Sequence, residues 1–473
     1  MLAALLRLRG LSSFILEQDE LYTLRDAATL NFHAGVSGPG IAGRPLYYLI
    51  QHVVLSLGPP SPVLLRLLPF AFGVLGIWLT WRLGRRYFGS SGGFVAAALV
   101  ALSPWHLYAS GMARYWTLVY ALAAASVMLI LRALERDRAR DYLLAAAALA
   151  LGALTHPSFL FTMVGVCLAV LVMDPSGRLA PRRPSHREVL FLWGPLVLLG
   201  AAFVITLKAV GQSGALRNWG GRGVEATLRT VPAMVEWMTL PVAVASVVGV
   251  VLLLTRQHPL DRRIGLIALL GIATSVTLTL VAGLKTDVYA DYGMAMLPLV
   301  YVAIGGAVAR VDELLPPPAG RWWSGAIVAV LGAATLPGVV SNLIDGMRFD
   351  YRPAYRYVQQ FTPGRLVVGG PAIEQRYYAP GQPFMEIPPD GTLGLERIAR
   401  DSGSFWLLAT YTRQGLQYDD GWTRHWIELR CHTVLRTERQ RLDYRVYRLD
   451  LAWCGDSLPR GSLDSISPVE TRP

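Results

Sequence analysis

"LLRLLPFAFGVLGIWLTWRLGRRYFG", residues 64–89, is an apolar run that closes on Arg82, Arg85 and Arg86. A helix needs about 20 mostly apolar residues to cross the hydrocarbon core of a bilayer. Residues 63–83 satisfy that ruler. The arginines behind them mark the cytoplasmic end, because short loops rich in Lys and Arg stay inside. This stretch therefore predicts a membrane-spanning helix and its direction together.

Composition agrees. The 473 residues have a mean hydropathy of +0.40, with 53% hydrophobic and only 16% charged residues, where soluble domains run near a quarter charged. The same ruler finds about eleven candidate spans, at 1–16, 63–83, 90–104, 115–133, 141–155, 158–173, 188–209, 240–256, 263–283, 292–310 and 322–342. The first is short and carries Arg7 and Arg9. No small-residue cleavage pattern precedes the acids that follow it, so it reads as a helix with a clipped start rather than a signal peptide. With a cytoplasmic N-terminus, 16 arginines fall in short inner loops, whereas 9 Lys/Arg, from Arg25 to Lys285, spread over longer outer loops. The odd helix count then puts residues 345–473 outside. The expected fold is a mainly α membrane protein: a polytopic bundle over residues 1–344, followed by an extracytoplasmic α/β domain over 345–473.

Charge narrows the function. Of the net +12, residues 1–344 hold +11 and residues 345–473 only +1. Nucleic-acid binding needs a basic face on a soluble domain, so that class is excluded and the excess is assigned to loops that set topology. In the C-terminal part "RLVVGG" (365–370), "SFWLLAT" (404–410) and "LDYRVYRLDL" (442–451) predict strands; residues 352–361, 392–401 and 413–429 predict helices. "VVGGPA" lacks the full dinucleotide fingerprint and reads as a strand-to-helix turn. The Ser/Pro-rich tail after Leu458 is expected to be disordered. Cys167 sits in an apolar run as a core residue; Cys431 and Cys454, if outside, either pair or stay as two thiols.

The outer side carries eight acids: Glu17, Asp19, Glu20, Asp26, Glu225, Glu236, Asp287 and Asp291. Seven of the other eight acids of the membrane half lie among inner-loop arginines and read as solvated ion pairs; the eighth, Glu188, starts a helix. Asp19–Glu20 is the one adjacent outer pair. Burial at a membrane boundary and a like-charged neighbour both raise a carboxylate's pKa, and a general base works best with a pKa near the working pH. Position alone still favours two plain loop acids. Among cations, Arg114 in "SGMARYWTLVYAL" and Arg44, which opens the interfacial stretch "RPLYYLIQHVVLSLG" (44–58), stand at outer helix ends, as do Lys208 and Lys285. They suit a lipid-linked phosphate or snorkelling to headgroups, and both readings stay open for Arg114. Tyr47 and Tyr48 sit at headgroup level. His156 lies in the tight turn "LTHPSF", and the scattered outer histidines have no metal-ligand spacing.

The order of these features resembles the GT-C fold membrane glycosyltransferases of families 39 and 83, the branch with the protein O-mannosyltransferases and the bacterial aminoarabinose and galacturonic-acid transferases. "DELYTL" (19–24), the run from Arg44 to Gly89, and "SPWHLYASGMARYWTLVYAL" (103–122) carry the resemblance; "LTHPSF" and "DYGMAMLPLV" are weaker signposts. It implies transfer of a sugar from a polyprenyl-phosphate donor to a glycan, lipid or protein hydroxyl at the outer face of the plasma membrane, with inversion. Asp19 is then the general base. Glu20 tunes it, orients the acceptor or helps hold a divalent cation, Mg or Mn; the metal site itself is unknown. Arg114, Arg44 and Lys285 meet the donor phosphate, and Tyr47, Tyr48, Tyr115, His156, Tyr292 and Asp291 line the substrate site. The chain departs from the pattern at Met112, where relatives carry an acid two residues before the arginine. It departs again at Gly43–Arg44, where aminoarabinose-type relatives have a lysine, and at Asp291–Tyr292, where Arg-Tyr is usual. These departures keep a non-catalytic scaffold of the same fold in view. A flippase or transporter fits less well, because charges cluster at helix ends and no repeat is visible.

Overall fold

The computed structural model describes residues 2–30, 43–172, 183–212, 223–284, 288–316, 319–370, 372–388, 390–412, 415–416, 422–438 and 448–455. They pack as two compact units. A helical unit holds the chain up to Phe14 and Thr23–Gly346; a C-terminal unit holds Ile15–Tyr22 and the chain from Met347 onward. The division expected at 344/345 takes no account of Ile15–Tyr22, the short segment with the adjacent acids.

In the helical unit, Ser-Pro pairs start two helices. Ser61 and Ser103 each accept a backbone N–H from the first turn, of Leu64 and His106, and a proline occupies the first helical position, where its missing N–H is no loss. Glu188 closes a capping box with Ser185, as its place at a helix start predicts.

Five helices are long and apolar enough to cross a membrane: Pro62–Ala101, Trp116–Arg136, Pro259–Gly283, Ala290–Asp312 and Trp322–Asp345. A sixth arises if Thr230–Met238 and Leu240–Thr255, bent by 93°, count as one span. Among the described residues this is fewer than the eleven expected. Hydropathy marks apolar runs, but the helices Leu2–Ser12, Ala139–Thr155 and Ser158–Leu171 fall short of the about 20 residues a crossing needs. The run at 188–209 is broken by a π-helical turn over Val189–Trp193. Within Pro62–Ala101, Gly89 has φ +70°, and a Cβ added to Gly84 would stand 3.0 Å from the Cα of Gly93. Residues nine apart in a straight helix are separated by about 13.5 Å, so the chain doubles back at Gly89. The limb beyond it, residues 90–101, is too short to cross alone.

Small residues let helix backbones touch: a Cβ on Gly165 would collide with the Leu270 carbonyl, and one on Gly305 with that of Gly92. Arg7 is wholly internal. Its guanidinium donates to Ala3 O (2.8 Å), Val100 O (3.3 Å) and Ser110 Oγ (3.1 Å) and meets His106 Nδ1 at 2.9 Å. Two acids expected to be solvated are buried instead: Asp141 pairs with Arg132 at 2.7 Å and Asp261 with Arg310 at 2.8 Å. Buried carboxylates persist only with such partners.

The C-terminal unit is built on one mixed sheet with strands β1 (Val367–Gly369), β2 (Phe384–Glu386), β3 (Phe405–Thr412), β4 (Gly415–Leu416), β5 (Cys431–Glu438) and β6 (Arg448–Cys454), in the order β2-β1-β3-β6-β5, with β4 on β3. β1 runs parallel to β2 and β3, while β6 is antiparallel to β3 and β5. Parallel neighbours need crossover helices, supplied by Ala372–Tyr378 and Thr392–Ser402. β3 is buried on both faces: Trp406 and Leu408 enter one core, Phe405 and Leu407 the other. That is why it reads as a continuous apolar run rather than an alternating one. Cys431 and Cys454 stand directly opposite across β5 and β6 and form a disulfide. The predicted strand at 442–451 is seen from Arg448; residues 442–447 and the tail after Leu458 lie outside the described residues.

Candidate active site

The acidic motif forms the first turn of the helix Gln18–Thr29. Glu17 holds the cap position, its carbonyl accepting from Leu21 N–H at 3.0 Å. Glu20 reaches back so that its Oε2 accepts from Glu17 N–H at 3.2 Å, the acidic half of a capping box. Arg348 stands 3.4 Å from the same oxygen. Glu20 is wholly buried, whereas Asp19 is half-exposed. Of the two carboxylates, Asp19 is the one with exposed surface.

Four further contacts within the C-terminal unit hold this turn. Arg348 donates to Ile15 O at 3.2 Å, and the Tyr378 hydroxyl accepts from Leu16 N–H at 2.8 Å and donates to Leu16 O at 2.9 Å. Glu374 Oε1 accepts from Gln18 N–H at 3.0 Å. Burial, then the charge of Glu17 and to a lesser degree Asp19, push the Glu374 carboxyl up to about 8 against the pull of the Gln18 N–H. Nothing local in "PAIEQRYY" signals this residue.

In the helical unit, sequence-distant segments converge on one ring. The Arg44 guanidinium lies 4.7 Å from the centre of the Tyr115 ring and that of Arg114 5.2 Å from it. Tyr115 also meets Tyr47 edge-on at 5.9 Å and stacks on His156 at 4.6 Å, with 11° between the planes. Tyr48 packs edge-on against Tyr47 at 5.8 Å and Tyr292 edge-on against His156 at 5.1 Å, while Trp116 lies tilted against Tyr115 at 4.5 Å. Local sequence explains these placements. Pro45 starts the helix Pro45–Leu55 directly behind Arg44, and His52 Nδ1–H ties that helix to Ala27 O at 2.7 Å. Arg114 Nη1 reaches Thr23 Oγ1 at 3.5 Å. His156 Nδ1 accepts from Ser158 N–H at 3.2 Å, which leaves Nε2 to carry the proton of the neutral ring.

Gln51 belongs to the same group. It is wholly buried, and neither end of its amide has a hydrogen-bond partner among the described residues. It follows Tyr47 by four residues and Tyr48 by three on one helix, the spacing that shares a face. Asp291 is buried and accepts from Trp105 Nε1 at 3.0 Å. Lys285 lies outside the described residues.

Known proteins match this architecture. Residues 39–205 match the family model for dolichyl-phosphate-mannose-protein mannosyltransferase. Over 95% of this chain and 96% of its own, ArnT from Cupriavidus metallidurans bound to undecaprenyl phosphate superposes with a TM-score of 0.55 at 14% identity. The Archaeoglobus fulgidus oligosaccharyltransferase in complex with Zn and sulfate gives 0.52 at 14% identity, covering 88% of this chain and 72% of that one. This chain has the GT-C fold. AglB from Archaeoglobus fulgidus, in complex with an inhibitory peptide and a dolichol-phosphate, gives 0.52 at 12% identity over 89% of this chain and 74% of its own. No curated protein sequence matches. Met112, which stands where the resemblance implies an acid two residues before Arg114, is buried. Among the described residues no three His, Cys, Asp or Glu side chains gather to hold a metal ion.

Proposed function

We propose that this chain moves a sugar from a polyprenyl-phosphate-linked donor to an acceptor hydroxyl of a glycan, lipid or protein at the outer face of the plasma membrane, inverting the anomeric carbon. The carrying observation is the pair of guanidiniums held on the Tyr115 ring inside a helical unit of GT-C fold. A ring face attracts a cation without cancelling its charge. In this reading Arg44 and Arg114, with Lys285, bind the donor phosphate and stabilise the charge it gains as it leaves. Tyr47, Tyr48, Gln51, His156 Nε2–H and Tyr292 offer hydrogen-bonding groups and ring faces to the sugar. Asp291 supports that wall through Trp105.

Asp19 takes the acceptor proton, the acceptor oxygen bonds to the anomeric carbon, and the bond from that carbon to the phosphate oxygen breaks. Polyprenyl phosphate leaves with the electron pair. One base suffices, because an inverting displacement forms no covalent sugar–enzyme intermediate. Glu20, closing the helix start beside Arg348, orients Asp19. The disulfide Cys431–Cys454 supports an oxidising, extracytoplasmic place for the C-terminal unit.

The test is transfer by the detergent-solubilised full chain, with a panel of polyprenyl-phosphate sugars. Asp19→Asn is expected to lower kcat about 10²- to 10⁴-fold while polyprenyl phosphate still binds. Full turnover by the variant would remove the base. Donors that neither bind nor react would point to a scaffold, and substrate-dependent uptake into vesicles to a transporter.

A further inference from the structure

We propose that Glu374 is a positioning residue, through which the C-terminal unit sets the place and the electrostatic surroundings of the turn that carries Asp19. The inference rests on Asp19 acting as the base.

The geometry is internal to the C-terminal unit. Glu374 is only 3% exposed, and its Oε1 accepts the Gln18 N–H, next in the chain to Asp19. Its Oε2 is buried without a hydrogen-bond partner among the described residues. The first N–H groups of a helix have no partner within the helix, so a side chain that takes one fixes where the turn starts. Glu374 does this from the crossover helix Ala372–Tyr378, and Tyr378 of the same helix holds Leu16 at both its N–H and its carbonyl. The reacting carboxylate is thereby referenced to the sheet.

The groups that face Glu374 explain its state. Glu17 and Asp19 act on it from the N-terminal segment, Tyr355 faces it from the helix Arg352–Phe361, and Tyr378 lies on its own helix. Burial among acids favours the neutral form, and the pKa of about 8 leaves Glu374 mostly protonated at neutral pH. A carboxyl whose pKa rises on folding favours the folded arrangement below its unfolded pKa and loses that contribution as pH climbs through the folded value. That contribution therefore declines from about pH 4.5 upward and is spent by about pH 8, where Glu374 ionises. Ionised Glu374 would add a negative charge beside Asp19 and leave Oε2 uncompensated.

The experiment compares wild type, Glu374→Ala, Glu374→Gln and Asp19→Asn as full chains with the disulfide intact, by transfer kinetics across pH and by amide hydrogen exchange over residues 15–22. Glu374→Ala is expected to exchange faster in that segment and to lose about tenfold to a hundredfold in kcat, with a smaller change in the KM for donor. Glu374→Gln keeps an oxygen for the Gln18 N–H and carries no titrating proton. It should restore slow exchange and most of kcat, and should flatten the change in the profile expected of wild type near pH 8. Wild-type exchange in Glu374→Ala, or faster exchange with an unchanged kcat while Asp19→Asn is inactive, overturns the positioning role. So does a Glu374→Gln variant as damaged as Glu374→Ala. Full turnover by Asp19→Asn overturns the base, and this role falls with it; the exchange data then still report whether Glu374 holds the turn.

Discussion

Two clusters, the one around Asp450 and Asp350 in the C-terminal unit and the one around Tyr115 in the helical unit, treat charge in opposite ways. In the C-terminal unit guanidiniums and carboxylates neutralise each other in place. Asp450 accepts from Arg436 at 2.8 and 3.1 Å and from Arg448 at 3.0 Å, and Asp350 accepts from Arg352 at 2.7 and 2.8 Å. In the helical unit Arg44 rests on an aromatic face, which holds a cation but keeps its field, and Arg114 meets the same ring. An anionic ligand is drawn to the second arrangement and gains little from the first. The difference separates charge that builds the protein from charge that can serve a substrate.

The sharpest way to break that comparison is to remove one cation from the ring. Arg114→Ala is expected to lower kcat about 10²- to 10³-fold, about 3 kcal/mol of transition-state stabilisation, because the charge developing on the leaving phosphate loses a donor. Arg114→Lys keeps the charge without the planar fork and should recover only part of the loss. By contrast Arg436→Ala, which removes a half-exposed partner of Asp450, should leave kcat within about twofold, as expected of a cation that serves structure at a distance from the chemistry. Single-turnover transfer rates separate these outcomes. Equal losses in both variants would erase the distinction between the clusters.

The second test bears on what holds each unit together. Cys431→Ser removes a link between residues 23 apart in sequence. A loop of that size contributes about 3 kcal/mol through restriction of the unfolded chain. Hydrogen exchange in β5 and β6 should quicken about a hundredfold, while the core of Leu297–Asp312 stays protected. Loss of protection in both units at once would mean that they unfold as one body.

How much of this was legible in the sequence depends on how local its cause is. The stretch from Arg44 to Tyr48 announces itself, because a proline start and a run of aromatic and apolar residues are properties of neighbouring positions. Arg114 and Tyr115 could be singled out for the same reason. The convergence of Arg44, Arg114 and His156 on Tyr115 could not, since it is made by packing between remote segments. Gln51 was open to detection through its spacing from Tyr47 and Tyr48, but a glutamine among apolar residues reads as ordinary until its burial is known. Glu374 was beyond reach: its partner Gln18 lies 356 residues away. The span count failed for another reason. Hydropathy marks apolar runs without fixing where each helix ends, so it counts runs too short to cross; the break it places between 63–83 and 90–104 does coincide with the turn at Gly89. The pairing of Cys431 with Cys454 needed the β5–β6 register, which no spacing rule supplies.

The smallest effect tests the ring itself. If Tyr115 acts through its face, Tyr115→Phe should bind polyprenyl phosphate within about twofold of wild type, because the cations, Tyr47 and His156 all meet the ring rather than the hydroxyl. Tyr115→Leu keeps an apolar filling but removes the π face from two guanidiniums. Each such contact contributes about 0.5–2 kcal/mol depending on its desolvation, so the affinity should fall about tenfold. Binding measured against salt then discriminates the cause. A loss that comes from misplaced cations weakens the salt dependence, because fewer charges meet the phosphate at close range. A loss that comes from packing alone leaves the salt dependence as it is in wild type, and would place the phosphate somewhere other than beside Arg44 and Arg114.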